Sequence, residues 1–450
     1  MKFKNYQSTL LLIFTLLALS FVVRAQNQTA EDLPNPFQIA GKYIKQNNYI
    51  TPIFELKAKE EKYLASPQWK PVYLEVMILL QGYVSNYEET YRYENILLES
   101  TPSYKRVREM YAKDITASPL ADYRMLDALA AIESVAERQQ VIMTNEEHLT
   151  PFHRALTLQL LHRLYAKGFR YFAAETLDAE DTELQSRGFP TQKTGFYTAD
   201  PVYADLIRTA LKLGYKVVPY ESFDANCRPP DDNRELCNDR RERGQAQNLY
   251  ERILKNDPKA KILVHVGRSH SAKIAISKEF NFMGYYFKQI TGIEPFTIDQ
   301  LRFSERPNSA DEQPLYRYLT KNNLLRKPSV YQTADGRFYN QTAFGQDMVI
   351  FHPPLSYKNG RATFLEMNGE RKAEKINLKR LKLTARKQVF TGNEPVLIQA
   401  FFAEESANAV PLDQIIIYPN KEIPALILPK GRFRIRAIDQ AGRILKQYEK

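Results

Sequence analysis

The sequence feature that most limits the fold is an alternation of short apolar segments and amphipathic segments that begins at Gln140. Four apolar segments predict β-strands, at 141–144, 169–174, 215–220 and 261–266. Amphipathic segments between them predict helices that begin at Thr150-Pro151, at Asp200-Pro201 and at about Arg241. Strands that alternate with helices are typical of an α/β fold, built on a mostly parallel sheet with flanking helices.

Each predicted strand is followed by ionisable side chains, in chain order Glu146 and His148, Glu175, Glu221, and His270. The carboxyl ends of parallel strands meet at one edge of a sheet, and open α/β folds bind ligands at that edge. Arg241, predicted at a helix start, adds a cation to the same edge. The sequence therefore predicts one polar site that contains Glu146, His148, Glu175, Arg241 and His270, with Glu221 as part of the pocket wall.

The N-terminus has the pattern of a secretory signal peptide. Basic residues precede an apolar run over 10–23, and Val23-Arg24-Ala25 is a suitable cleavage site. The run is about fifteen residues long, whereas a membrane-spanning helix needs roughly twenty. We therefore predict a signal peptide over 1–25 and a soluble mature protein in the periplasm or outside the cell.

Three regions are predicted after the signal peptide. Residues 26–138 have helical spacing and form an N-terminal helical region, and 139–345 form the α/β domain. Residues 346–450 contain Asn-Gly turn signals between strand-like runs at 349–351, 395–402, 414–418 and 432–438. This last region is predicted to be a β-rich domain, a small β-sandwich.

The cysteines and the charge bear on compartment and partners. Cys227 and Cys237 are the only cysteines, and an oxidising compartment favours a disulfide between them. The formal charge of +11 falls to +8 when the signal peptide takes three basic residues with it, and the remaining charge is dispersed. No basic stripe indicates a nucleic-acid partner. The charge leaves open a contact with an anionic envelope surface, and the substrate class is a small molecule or peptide.

The motifs resemble the superfamily of erythromycin esterases, ChaN-like haem-binding proteins and TraB-type domains. In that superfamily a Gly-Glu-x-His motif follows the first strand, where this chain has 145–148 with Asn145 in place of the glycine, and ChaN-like members often have a second histidine, here His153. Erythromycin esterase-like members have a glutamate after the second strand, an Arg-Asp-x-x-Met-Ala-x-Asn helix and a late histidine. These correspond to Glu175, 241–248 and His270, with departures at Glu242 and Gln245.

The resemblance and the residue types imply a hydrolase of an ester, lactone or peptide bond. We hypothesise that Glu146 or Glu175 activates water, His148 or His270 transfers protons, and Arg241 stabilises the oxyanion. In that case alanine at Glu146 or His148 would abolish activity without changing the melting temperature.

Other interpretations of the predicted site remain open. Glu146, His148, Glu175 and His270 are also suitable ligands for a divalent metal. ChaN-like relatives imply haem binding without turnover, with His153 in the cofactor pocket. A catalytically degenerate scaffold is a further alternative, and a buried ion pair between Glu175 and Arg241 would serve the fold alone. His265, inside a strand, is predicted to be a core residue, and His162 and His352 are predicted to be structural or exposed.

Overall fold

The structure is a computed structural model that describes residues 33–223, 227, 234–342, 344–383, 394–419 and 421–450. The predicted signal peptide, 1–25, lies outside the described residues. The described chain forms two compact units. Unit 1 takes its residues from Thr101–Gly188 and Leu206–Pro354, and unit 2 takes its residues from Val23–Ser100, Phe189–Asp205 and Leu355–Lys450.

The α-helices are numbered in chain order. They are α1 Pro36–Ile44, α2 Ile50–Lys57, α3 Glu60–Ala65, α4 Lys70–Tyr83, α5 Tyr87–Glu99, α6 Pro102–Tyr111, α7 Ala128–Ala136, α8 Pro151–Ala166, α9 Leu184–Arg187, α10 Pro201–Leu213, α11 Arg234–Leu249, α12 Met283–Thr291 and α13 Pro314–Lys321. A π-helical turn, Tyr250–Leu254, extends α11, and short 3-10 turns lie at Tyr197–Ala199, Ser309–Asp311 and Thr363–Gly369.

The strands of unit 1 form one eight-stranded sheet. They are β1 Tyr123–Asp127, β2 Val141–Glu146, β3 Tyr171–Ala174, β4 Lys216–Pro219, β5 Ile262–Gly267, β6 Phe296–Phe303, β7 Ser329–Thr333 and β8 Met348–Phe351. Their order across the sheet is β1-β7-β8-β6-β2-β5-β3-β4. Pairing is parallel from β8 to β4 and antiparallel where β7 meets β8 and β1. The prediction of an α/β fold with a mostly parallel, helix-flanked sheet is confirmed.

Apolar residues of the central strands explain why the sheet forms. Every residue of β2 and β5 is buried, because helices cover both faces of a parallel sheet. One core cluster joins side chains of these two strands, such as Val141 and Val264, to side chains of α11 and α12, such as Leu249 and Phe287. Within α8, Leu160, Leu161 and Leu164 are buried as the predicted stripe requires, and Gly168 follows with a φ of 86°. The sheet therefore holds the ends of its central strands in fixed positions.

Two local predictions were wrong. The segment predicted as a strand at 349–351 of the β-rich region is β8, which pairs with β6 inside the eight-stranded sheet. Arg241 does not lie at a helix start, because α11 begins seven residues earlier at Arg234. The first turns of α11 carry no apolar stripe, so helical periodicity does not reveal them.

Unit 2 combines the N-terminal helices α1 to α5 with C-terminal strands. The strands are β9 Tyr357–Lys358, β10 Arg361–Ala362, β11 Lys372–Glu374, β12 Val396–Phe402, β13 Asp413–Ile417, β14 Leu426–Leu428, β15 Phe433–Ile438 and β16 Ile444–Glu449. The main sheet has the order β13-β12-β15-β16 and is antiparallel, as are the strand pairs β10-β9 and β11-β14. An antiparallel sheet region near the C-terminus is thus confirmed.

Contacts within unit 2 join the two ends of the described chain. The side-chain amide of Asn47 donates to the carbonyl of Ala409 at 2.9 Å, and Gln192 donates to the Asn47 side chain at 2.7 Å. This grouping differs from the predicted division into 26–138, 139–345 and 346–450, since helices near one end and strands near the other belong to one unit.

Two further findings concern the cysteines and the length of the helices. The predicted disulfide between Cys227 and Cys237 is present. Within the described part of the chain, we find no helix of the length and apolar character that crossing a bilayer requires.

Candidate functional site

The ends of four neighbouring strands bring the predicted site residues together. In the sheet β2, β5, β3 and β4 are adjacent, and their register pairs Glu146 with Gly267 and Ala174 with His265. Because these strands are parallel, the residues that follow them leave the sheet at the same edge. Short contacts connect the side chains of Glu175, Glu221, Arg241 and His270 there, and the pair formed by Glu146 and His148 lies next to Glu175.

Glu146 and His148 form the first carboxylate–histidine pair. The Oε1 atom of Glu146 lies 2.8 Å from Nδ1 of His148. Because an ionised carboxylate can only accept, Nδ1 of His148 carries a proton in this contact. The pair fixes the orientation of this imidazole and keeps a proton on Nδ1.

A shell of cationic and polar groups surrounds Glu146, which is 1% exposed. Arg154 donates from Nε to Oε2 at 2.6 Å and from Nη2 to Oε1 at 2.8 Å, and Nε2 of His265 lies 2.9 Å from Oε2. Burial alone would raise the pKa of Glu146, but Arg154, His265 and His148 hold it well below its usual range. Glu146 therefore stays ionised, and both of its carboxylate oxygens have hydrogen-bond partners.

Glu242 and His270 form a second pair of the same kind. The Oε2 atom of Glu242 lies 2.8 Å from Nδ1 of His270 and also accepts the backbone N–H of Met283 at 2.7 Å. Burial would lower the pKa of His270, but the carboxylates of Glu242 and Glu175 raise it. The raised pKa favours the cationic form of His270.

Glu175 lies beside both pairs. Its Oε1 accepts from Nη2 of Arg241 at 2.8 Å and lies 3.4 Å from Nε2 of His270, and its Oε2 accepts the backbone N–H of Gly267. Burial would raise the pKa of Glu175, but His270, Arg241 and His148 lower it to about 2. Glu175 is therefore a carboxylate at neutral pH.

Gly267 is needed for this close approach. A Cβ atom at Gly267 would lie 2.5 Å from Nε2 of His148 and 2.7 Å from Oε2 of Glu175. Real Cβ contacts are not that short, so any side chain here would displace the imidazole or the carboxylate. The glycine that ends β5 lets His148 and Glu175 face the same point of the backbone.

Arg241 connects Glu175 to Glu221. Its Nε donates to Oε1 of Glu221 at 2.9 Å and its Nη2 to Oε2 at 2.7 Å. Gln245, one helical turn further along α11, donates to the same carboxylate at 2.8 Å. Burial would lower the pKa of Arg241, but Glu221 and Glu175 raise it well above its usual value. Glu221 is therefore a direct partner of the arginine rather than a plain wall residue.

Exposure separates the groups that reach solvent from those that lie beneath them. The side chains of His148, His270 and Arg241 are 14%, 15% and 29% exposed. Those of Glu146 and Glu175 are 2% and 4% exposed. A substrate that enters from solvent would therefore meet the two imidazoles and the guanidinium first.

His153 has other partners than those predicted for a cofactor ligand. Its Nδ1 accepts the backbone N–H of Glu147 at 3.1 Å, and its Nε2 lies 3.1 Å from Oγ of Ser304. The ring is 1% exposed and packs 5.0 Å from the ring of His352. Burial holds its pKa well below the usual value, and these contacts give His153 a neutral, structural place behind the site.

The residues do not fit a metal site. Among the described residues, no group of three or more His, Cys, Asp or Glu side chains is arranged to hold a metal ion. The four side chains predicted as ligands do not form such a group, because both oxygens of Glu146 accept from Arg154, and Glu175 accepts from Arg241 and Gly267.

Three partners were missed at the sequence level or read as departures from a motif. Arg154, on α8, was not recognised because its partner Glu146 lies outside the helix. Glu242 and Gln245 were treated as departures from the family motif. Gln245 nevertheless lies four residues after Arg241 and so on the same face of α11. His265 was predicted to be a core residue, and it is buried in β5, but its ring also contacts Glu146.

Comparisons with known proteins add little. No family model matches the chain, and no curated protein matches it. The chain is similar to the solved structure of the type III effector HopBA1, with 15% identity and a TM-score of 0.30, over 44% of this chain and 95% of that one. It is also similar to RRSP, a MARTX toxin effector domain from Vibrio vulnificus CMCP6, with 12% identity and a TM-score of 0.30, over 69% and 59% of the two chains. Scores this low carry no conclusion about this chain.

Proposed function

We propose that the protein is an exported hydrolase that cleaves an ester, lactone or peptide carbonyl, and that unit 1 is related to the erythromycin esterase/ChaN-like domains. The observation that carries the proposal is the pairing of His148 with Glu146 and of His270 with Glu242 beside one shared carboxylate, Glu175. Two imidazoles, each oriented by a carboxylate and lying next to an arginine, are suited to acid–base catalysis at a carbonyl.

His148 is the proposed general base. In the proposed step the Nδ1 proton stays on the contact with Glu146, and Nε2 takes the proton of the attacking water. Glu146 itself is a positioning residue, because Arg154 and two histidines occupy its oxygens and little of it reaches solvent. This assignment replaces the alternative in which Glu146 activates water directly.

Arg241 and His270 are the proposed electrophilic groups. The guanidinium keeps its charge and is the most exposed of the catalytic set, so it can donate to a developing oxyanion. His270, with its pKa raised by two carboxylates, supplies a proton to the leaving group. Glu175 holds both cations in place and is a positioning residue for them.

Motif residues outside the pairs support the resemblance. Asn248, the last position of the 241–248 motif, donates to the carbonyls of Tyr220 and Glu221 at 3.1 and 2.9 Å and so fixes the loop after β4. The disulfide supports the export reading, together with the signal sequence predicted over 1–25. We also propose that the C-terminal strands of unit 2 form a small β-sandwich.

The test is hydrolysis of a panel of esters, lactones and peptides by the purified, oxidised mature chain. His148→Ala should lower turnover by roughly 10²- to 10⁴-fold, the usual contribution of a general base. The matched control is His162→Ala, because His162 is an exposed histidine on the same stretch of chain, within α8. Turnover that survives His148→Ala, or falls equally in the control, would contradict the assignment.

Two further outcomes separate the alternatives. A Soret band that develops on haem titration and is lost in His148→Ala would favour a ChaN-like binding protein. A folded wild type that hydrolyses nothing in the panel and takes up no haem would favour a catalytically degenerate scaffold.

A further inference from the structure

Unit 2 contains an open cavity of about 510 Å³ beside the end of β16. We call it the Lys375 cavity. Its walls are formed by one chain segment and by residues at the C-terminus, namely 375–380, Tyr448 and Lys450. Both walls belong to unit 2, so the cavity is defined within one compact unit.

Cations dominate the rim of this cavity. Lys375, Lys379 and Arg380 are exposed, and Lys450 is paired with Glu374. Within the described residues, no salt bridge joins Lys375, Lys379 or Arg380 to a carboxylate. The rim therefore carries an uncompensated positive charge that attracts anions.

The floor of the cavity is apolar and held in place. Ile376 and Leu378 are half-buried and pack against the core cluster of the antiparallel sheets, and Tyr448 is 7% exposed. The Tyr448 hydroxyl accepts the backbone N–H of Asn377 at 3.2 Å, and the guanidinium of Arg380 lies 4.6 Å from the centre of the Tyr448 ring. The cations therefore stand around an apolar patch that packing keeps in position.

We propose that the Lys375 cavity binds the anionic headgroups of a lipid bilayer, so that unit 2 attaches the protein reversibly to a membrane surface. Clustered lysine and arginine side chains attract anionic lipid surfaces, and apolar groups between them can enter the headgroup region. A simple soluble anion would contact the cations but not the apolar surface that the half-buried Ile376 and Leu378 still expose beside them. The proposal does not depend on hydrolysis, because the cavity and the candidate site lie in different units.

The test is co-sedimentation of the mature chain with vesicles of phosphatidylcholine, with and without phosphatidylglycerol. The wild type should bind only the anionic vesicles and should be released as salt rises above about 0.1 M, where the Debye length is about 10 Å. The variant Lys375→Glu/Lys379→Glu/Arg380→Glu should bind at least tenfold less. The milder variant Lys375→Gln/Lys379→Gln should show a smaller loss and guards against misfolding of the first.

The matched control is Lys45→Glu/Lys59→Glu/Lys421→Glu, which makes the same change in charge at exposed positions of the same unit. An equal loss of binding in this control would overturn the proposal, because net charge alone would explain it. Equal binding to neutral vesicles, or binding to a soluble acidic polysaccharide with none to anionic vesicles, would also overturn it. Release by inorganic phosphate at constant ionic strength would show a phosphate site and not a bilayer surface.

Discussion

Removal of the positive charge of Arg154 tests whether the ion pair beneath His148 holds unit 1 together. Arg154 and Glu146 are each 1% exposed, and the guanidinium makes two hydrogen bonds to the carboxylate and a third, at 2.7 Å, to the carbonyl of His148. Arg154→Met keeps much of the side-chain volume but leaves a buried carboxylate without its cation. Breaking a buried pair in this way costs about 3–5 kcal/mol.

The matched control is Arg163→Met on the same helix. Arg163 pairs with Glu133 at 2.6 Å, but their side chains are 41% and 31% exposed, so its removal should cost less than about 1 kcal/mol. The second control, Arg154→Met/Glu146→Gln, removes both buried charges and should recover part of the loss. With the single variant Glu146→Gln and the wild type, these proteins complete a double-mutant cycle that measures the coupling of the pair.

The assay must report on unit 1. Trp69 is the only tryptophan and belongs to unit 2, so its fluorescence follows the other unit. Hydrogen–deuterium exchange of peptides from β2 and α8 reports the local free energy of opening directly. If Arg154→Met exchanges no faster there than Arg163→Met, the ion pair does not stabilise unit 1 and the reasoning fails.

The pH dependence follows from the lowered pKa of Glu146. A carboxylate with a depressed folded-state pKa stabilises the fold above its unfolded pKa of about 4.3, and that stability is lost as pH falls toward the folded pKa. In Arg154→Met the Glu146 carboxyl loses its cationic partner, so it protonates at a higher pH than in the wild type. Once it is protonated, the cost of burying an unpaired charge disappears. The gap between wild type and variant should therefore be widest at neutral pH and should narrow in acid.

Three further predictions follow from other contacts. Glu242→Gln should lower the pKa of His270, because it removes the carboxylate at Nδ1, and NMR titration of the His270 ring would show no shift if that contact were unimportant. Burial raises the pKa of Glu312 to about 7, so the wild type should lose stability as pH rises from about 4.3 through about 7, and melting curves of Glu312→Gln should lack that decline. Cys227→Ser/Cys237→Ser opens a loop with a sequence separation of 10 and should cost about 3 kcal/mol, measured as faster exchange in α11, whereas unchanged exchange would refute it.

The buried pair also changes how the candidate site must be probed. The sequence alone suggested that alanine at Glu146 would leave the melting temperature unchanged. In the structure that substitution would strand Arg154 without its carboxylate, so a loss of activity could simply report unfolding. Substitution of His148, which is partly exposed and is not part of the buried ion pair, separates the two effects better.

The sequence predicted the parts of unit 1 that depend on local pattern. The strand 141–144 and the helix that begins at Pro151 were found because apolar periodicity and a proline at the first helical position are local signals. The convergence of Glu146, Glu175 and His270 followed from the parallel sheet, since topology alone puts their strand ends at one edge.

Non-local pairing was not predictable in the same way. Nothing in the segment around Met348 says whether it joins a parallel or an antiparallel sheet, because the pattern of a fully buried strand is the same in both. Nothing around Asn47 indicates a partner more than three hundred residues away at Ala409. The start of α11 was mispredicted for a different reason, because the helical stretch that begins at Arg234 has no apolar stripe.

Departures from a family motif were also misleading at the sequence level. Asn145, which stands where the resemblance implies glycine, lies inside β2 and accepts the backbone N–H of Gln300 at 2.7 Å while donating to the carbonyl of Arg268 at 2.7 Å. These bonds tie β2 to its neighbours and leave the Glu146–His148 pair intact. Glu242, which replaces aspartate, still places an oxygen 2.8 Å from Nδ1 of His270. Both carboxylate–histidine pairs are therefore formed with Asn145 and Glu242 in place, because neither residue removes a contact that orients the two imidazoles.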